Sequence, residues 1–330
     1  MYKSFETTGR RTLALMCTSF VLAGSLLACQ VPVFRFALER WSPDHYQILV
    51  LSEGTLTADQ LASLEPLKEK HRKSPTDLKV VDVTTTKDPF IGELWKKQNH
   101  GTGPVIVSMY PESSSTPPKQ AAFATTLSQP HVQQTLSSPA RDQVIQRLAS
   151  GHSAVWILLE SGDAEKDRVA VQTLQAQIEK DAQWLTLPSP EEMEIKPAVL
   201  EEAKIKLRIE FSIVSVNRED PNEQFLVNCL LNSETDLKDF DEPIAFPVFG
   251  RGRVLYALVG AGISSDTIRA ASAFIAGPCS CQVKSQNPGF DLLLCNDWDA
   301  AVGDKFISQP LPETNAKPEL LTIPPGRAKR

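Results

Sequence analysis

The chain has 330 residues, 42% of them hydrophobic, and a formal charge of −6 at neutral pH. That apolar content supports packed cores and excludes a disordered chain, and the length suits two domains. An acidic balance without basic clusters argues against nucleic acid and against electrostatic adhesion to anionic lipid.

Residues 1–28 read as an export signal. Lys3, Arg10 and Arg11 form a basic start, and 13–28 is a nearly unbroken run of apolar and small residues. The run is short for a membrane span, which needs about 20 apolar residues, and has the size of a signal peptide. It ends Leu26-Leu27-Ala28-Cys29, which resembles a bacterial lipobox. The resemblance implies cleavage before Cys29 and its modification by diacylglycerol. Plain export and retention as an uncleaved anchor are the alternatives. Removal of 1–28 takes away Lys3, Arg10, Arg11 and Glu6, a net +2, and leaves a mature chain of −8.

Residues 32–41 suit a short amphipathic helix, with Pro32 at its first position and Phe34, Leu38 and Trp41 on one face. Such a helix lies on a membrane or docks on a domain; docking on the first domain is expected. Strands are expected at 46–51, 78–83 and 104–110, with an edge strand at 121–127. Helices are expected at 57–73, with Leu61, Leu64 and Leu67 inward, at 89–97 and at 140–149.

A second round starts with a strand at 154–159 and a long helix at 163–185, with Val169, Leu174 and Ile178 inward. After a Pro/Glu-rich linker at 187–197 come a strand at 207–216 and a helix at 222–231. Strands at 244–249 and 254–259 follow, joined by Gly250-Arg251-Gly252-Arg253, whose glycines let the chain reverse. Ser264, Ser265 and Asp266 open a helix that Gly277 and Pro278 close. A last strand is expected at 290–295, and a loose Pro-rich tail at 306–330.

The order β-α-β-α-β-β-α, read twice, resembles the thioredoxin-like fold. Pro243, Phe249, Gly252, Val254, Val259 and Gly260 match that family's third-strand proline, its turn and its entry to the last helix; Pro104 takes the proline's place in the first half. The resemblance implies an α/β chain of two tandem thioredoxin-like units, 29–150 and 151–305, with a cis bond at Pro243. Thioredoxin-type redox chemistry needs Cys-x-x-Cys at the N-terminus of the first helix, where the dipole favours a thiolate. Those places hold Ser52-Glu53-Gly54-Thr55 and Ser161-Gly162-Asp163-Ala164. That activity is therefore not carried over, and no catalytic residue is assigned. Three longer blocks, at 29–41, 246–253 and 279–293, resemble sequences shared by bacterial exported proteins and lipoproteins of thioredoxin-like architecture. They imply export and carry no activity with them.

The remaining chemistry rests on Cys229, Cys279, Cys281 and Cys295. An even count in an exported chain points to disulfides, with three pairings open, and a bridge to Cys295 would staple the last strand. Inert buried thiols, a labile Cys279-Ser280-Cys281 redox pair and soft-metal binding, as of Cu(I), are the alternatives. The five histidines are scattered in sequence, so no metal site and no cofactor are assigned. Arg251 and Arg253 are candidates for a partner's carboxylate, against the plainer reading of a solvated turn. Gly260-Ala261-Gly262 is a partial dinucleotide fingerprint, but Ser265 holds the third glycine's place and no acidic residue follows at the usual distance; a strand-to-helix turn is expected. The function expected is that of a membrane-anchored envelope lipoprotein on the periplasmic side. It would be a non-catalytic scaffold for another envelope protein. The alternative is a thiol redox or copper-handling protein working through Cys279 and Cys281.

Overall fold

Residues 46–52 alternate between two buried faces, with Tyr46, Ile48 and Val50 in one core and Leu49 and Leu51 in another. A strand apolar on both faces needs cover on both, which places it inside a sheet. The computed structural model describes residues 30–68, 74–98, 101, 103–112, 115–193, 195–196, 198–200, 207–279, 283–303 and 306–308. Residues 1–28, where an export signal is expected, Cys29, Cys281 and the tail from 309 lie outside them. No helix among the described residues is long and apolar enough to cross a membrane.

After α1 (Val33–Arg40), the first half runs β1 (Tyr46–Ser52), α2 (Ala58–Ser63), α3 (Glu65–Lys68), β2 (Thr76–Asp82), α4 (Pro89–Gln98), β3 (Val105–Met109), β4 (Ala121–Thr126), α5 (Gln129–Leu136) and α6 (Pro139–Ala149). Its sheet has the order β2-β1-β3-β4. β2 is parallel to β1, while β3 is antiparallel to β1 and β4 to β3.

The second half runs β5 (Ala154–Glu160), α7 (Ala164–Trp184), β6 (Phe211–Asn217), α8 (Gln224–Leu231), β7 (Ile244–Phe249), β8 (Arg253–Val254), β9 (Leu258–Val259), α9 (Ser265–Ala276), β10 (Phe290–Asp291) and α10 (Trp298–Val302). Its sheet has the order β10-β8-β7-β5-β6, with β9 also on β7. β6 is parallel to β5 and β7 is antiparallel to it. The chain is thus mixed α/β with two mixed sheets.

The strand faces decide how the halves meet. Ile48, Val50 and Ile106 of the first sheet share one core with Val155, Ile157, Ile244 and Phe246 of the second. Val144 and Leu148 of α6 and Phe225, Leu226 and Leu230 of α8 belong to the same core. Polar ties reinforce it. Glu223, beside α8, accepts the Ala140 N–H at the start of α6 (2.7 Å), satisfying a donor that a helix start leaves open. The buried Arg141 guanidinium lies 4.5 Å from the Phe225 ring centre. α4 covers the far face of the first sheet; α7 and α9 cover that of the second.

α1 is buried on every side except at Arg40, the signature of a core helix rather than of a membrane-surface one. It precedes the first half in sequence, yet packs on the second sheet against α9 and β7. This corrects the expectation of docking on the first domain. Val33 N–H bonds Gly277 O (2.9 Å), and Cys279 N–H bonds Val31 O (3.0 Å). The buried Arg35–Glu39 pair (2.7 Å) is affordable because Glu39 also accepts N–H bonds from Ile307 (3.1 Å) and Ser308 (2.8 Å). Residues 306–308 are therefore packed against α1 and are not part of a loose tail.

Other departures have local causes. The strand expected at 254–259 is broken, its register shifting by one residue between the Val248–Val254 and Ala245–Leu258 pairs. Pro247 stands opposite the break and has no N–H to give the ladder. The strand expected at 290–295 pairs only at Phe290 and Asp291. Leu61 is 39% exposed, because the first turn of helix closes at Leu64 and Pro66 follows. Val169 is 47% exposed; the inner stripe of α7 is Ala170, Leu174, Gln177, Ile178 and Asp181, in which two polar residues mask the helical period. All peptide bonds among the described residues are trans, including those at Pro104 and Pro243.

Candidate functional site

The loops after β1 and β5 are the places where the resemblance would require thiols. Both are instead tied to a carboxylate. Asp82 Oδ1 accepts from Gly54 N–H (3.0 Å), Thr84 N–H (2.9 Å) and Thr84 Oγ1 (2.7 Å). The Thr84 hydroxyl, then the backbone donors, hold the Asp82 carboxyl below its usual pKa. Asp167 Oδ1 accepts from Ser161 N–H (2.7 Å) and Oγ (2.8 Å), and its Oδ2 from Gly162 N–H (3.1 Å). Neither loop holds a cysteine, so neither offers the thiolate that thioredoxin-type exchange requires.

The cysteines do not form one site. Cys229 lies fully buried on α8 at the boundary between the halves. Burial pushes its thiol up to about 11, against the opposing effect of the contact with the Tyr46 hydroxyl. Cys295 sits 3.6 Å from Ser74 Oγ, and burial raises its pKa as well. Both are free thiols, so the staple expected through Cys295 is not formed. Cys279 is 1% exposed and belongs to the core under α1; Cys281 is outside the described residues. Thiolates favoured by their surroundings are the reactive ones, and the environments of Cys229 and Cys295 act the other way. Among the described residues no three His, Cys, Asp or Glu side chains converge as metal ligands.

Arg251 and Arg253 are not presented to a partner, which corrects the expectation from the glycine turn. Arg251 donates to Leu38 O (2.7 Å) and Glu39 O (3.2 Å) and pairs with Asp299 (3.0 Å). Arg253 is 3% exposed, pairs with Asp291 (3.3 Å) and donates to Asn287 O (2.7 Å). Asp291 also pairs with Lys284, which reaches Asp44 (2.9 Å). The turn itself needs its glycines: Gly250 has φ +60 and lies against Ala37 of α1, and Gly252 has φ +113. It is a docking point inside the protein. The segment 260–262 is a single 3-10 turn before α9, whose N-cap Ser264 forms a capping box with Thr267. It is the strand-to-helix turn expected.

A different concavity has the character of a binding site. A groove of about 670 Å³ runs between α4, the turn at 117–120, β4 and α8. Lys97, Lys119 and Lys238 enter it, with Phe90 and the amides of Asn228 and Asn232. Its walls are cross-bonded between the two halves: Asn232 Nδ2 donates to Ala122 O (2.9 Å) and Gln120 Nε2 to Asn232 O (2.8 Å). Lys119 is the only non-glycine residue of positive φ among the described residues, at +57, and its ammonium lies 5.6 Å from the Phe90 ring centre. A second groove, of about 690 Å³, shares Phe90, Pro118 and Lys119 with the first and ends at His45, Asp88 and Glu112.

None of these groove residues stands out in the sequence. The lysines are far apart along the chain, and the only local sign is the Pro117-Pro118 step before Lys119. No family model matches the chain, and no curated protein is similar to it in sequence.

Proposed function

We propose that the chain is an envelope lipoprotein, tethered through Cys29, whose two thioredoxin-like units hold another envelope protein without catalysing a reaction. The observation that carries this reading is the pair of loops after β1 and β5, where Asp82 and Asp167 occupy the ground that a thioredoxin-type catalyst needs for thiolates. The thioredoxin-like assignment is supported by the arrangement common to both sheets, in which the first strand lies between a parallel second and an antiparallel third. The thiol or copper alternative draws less support, since Cys279 is buried.

The test is mass spectrometry of the chain isolated from the membrane fraction, with a dithiol-exchange assay on the same material. The expected result is an N-terminal peptide that begins at diacylated Cys29, release of Cys29→Ala into the soluble fraction, and exchange at the background rate. A mature N-terminus elsewhere would sink the tether, and turnover of a disulfide substrate would sink the non-catalytic reading.

A further inference from the structure

We propose that the groove between α4, the 117–120 turn and α8 receives an extended peptide segment of the partner, its acidic end held by Lys97, Lys119 and Lys238. This rests on the scaffold reading above and names the surface and the chemistry of its ligand.

The backbone at Lys119 is the first reason. A left-handed conformation suits glycine and is unfavourable for a side chain with a β-carbon. Such strain, where it persists, gathers at functional positions. A lysine stands there, and its ammonium lies over Phe90 where the two grooves adjoin.

Charge is the second reason. The chain carries a formal −6, yet three lysines line this groove, and its one carboxylate, Glu93, is already bonded to Lys96 (3.0 Å). Lys97, Lys119 and Lys238 form no ion pair among the described residues. A concave wall of uncompensated positive charge concentrates anionic groups.

Shape selects the class of ligand. The two grooves adjoin at Phe90, Pro118 and Lys119, which line both, and the far one presents Asp88 and Glu112. A uniformly anionic polymer would meet repulsion at that end. A chain with an acidic stretch followed by basic residues meets complementary charge along the whole length, over an apolar middle of Phe90, Pro117 and Pro118. Extended peptides engage such troughs by alternate side chains. The groove also needs both halves, because α8 supplies one wall and α4 and the turn supply the other.

The experiment is fluorescence anisotropy of the mature chain with a fluorescein-labelled peptide, acidic in its first half and basic in its second. The expected result is saturable binding that weakens with salt, and that falls about fivefold or more in each of Lys97→Glu, Lys119→Glu and Lys238→Glu. Lys119→Gly should also weaken binding, by less than Lys119→Glu, while keeping or raising the melting temperature. Equal binding by wild type and the triple glutamate variant would overturn the proposal. Equal or tighter binding of polyglutamate would overturn the peptide assignment in favour of a polyanion. A photo-crosslinker at Gln98, in the groove, is compared in cells with one at the exposed Trp184 of α7. An adduct with an envelope protein at 184 alone overturns the groove and leaves the scaffold; no adduct at either, with no peptide bound, overturns both.

Discussion

The hydroxyl of Tyr46, on the central strand of the first sheet, lies 3.3 Å from the sulfur of Cys229 on α8 of the second half. Tyr46 donates its proton to Asp291 O (2.8 Å), so the Cys229 S–H is the donor to Tyr46. Tyr110 completes the group by donating to Cys229 O, its ring 6.1 Å from that of Tyr46. Four segments far apart in sequence thus share one buried polar cluster at the boundary. Tyr46→Phe should cost about 1–2 kcal/mol, because it leaves Asp291 O and the thiol without that partner. Urea unfolding should remain a single transition with a lower midpoint. Two separate transitions would show that the halves are not held as one core.

Thiol accessibility follows from the same burial. With its pKa at about 11, Cys229 is a thiolate in only about one molecule in a thousand at pH 8, and it has no exposed surface. Iodoacetamide under native conditions should leave Cys229 unlabelled and modify the partly exposed Cys295 slowly. Both should label fully in denaturant. Peptide mapping by mass spectrometry reads the result, and rapid native labelling of Cys229 would contradict the buried placement.

Gly289 separates strain from mere space. At φ +101, a β-carbon there would stand 1.9 Å from Val254 O, beside the β8–β10 pair. The obstacle is backbone and cannot swing away, so Gly289→Ala should cost more than about 3 kcal/mol. Gly262 has open space around it and no positive φ, and Gly262→Ala should be close to neutral. Thermal unfolding of the two variants provides the comparison.

His152 gives the fold a dependence on pH. Burial holds its imidazole below the usual pKa, against the pull of Glu210, and its Nδ1 lies 3.0 Å from Ser212 Oγ. The unfolded chain takes up this proton near pH 6.5, while the folded chain resists it. The stability tied to the neutral ring is therefore complete above that pH and is lost as pH falls through the lower folded value. Wild type should lose more melting temperature than His152→Gln between about pH 7.5 and pH 5.5. Equal losses would place the pH dependence elsewhere.

Much of the architecture is legible along the chain. The apolar runs that became β1, β3, β5 and β7 announce strands, since nothing but a sheet interior covers both faces of so short a segment. The capping box of Ser264 and the positive φ at Gly250 and Gly252 are likewise local chemistry. Val169, Leu61 and the broken strand beside Pro247 were less legible, because polar core residues or a proline disturbed the period that identifies an inner face.

The arginines and the groove mark the boundary between the two kinds of information. Arg251 and Arg253 look like surface charges until Leu38, Glu39 and Asp291 come to meet them. Lys97, Lys119 and Lys238 carry no common pattern until α4, the 117–120 turn and the segment after α8 are brought side by side. Amino-acid order by itself determined the strands, the turns, the helix starts and the absence of a thiol pair after β1 and β5, because each depends on residues within a few positions. Tertiary structure alone decided that α1 covers the second sheet, which arginines are consumed internally and where the positive groove lies. These depend on which distant surfaces exclude water together, and that choice is made by the whole core.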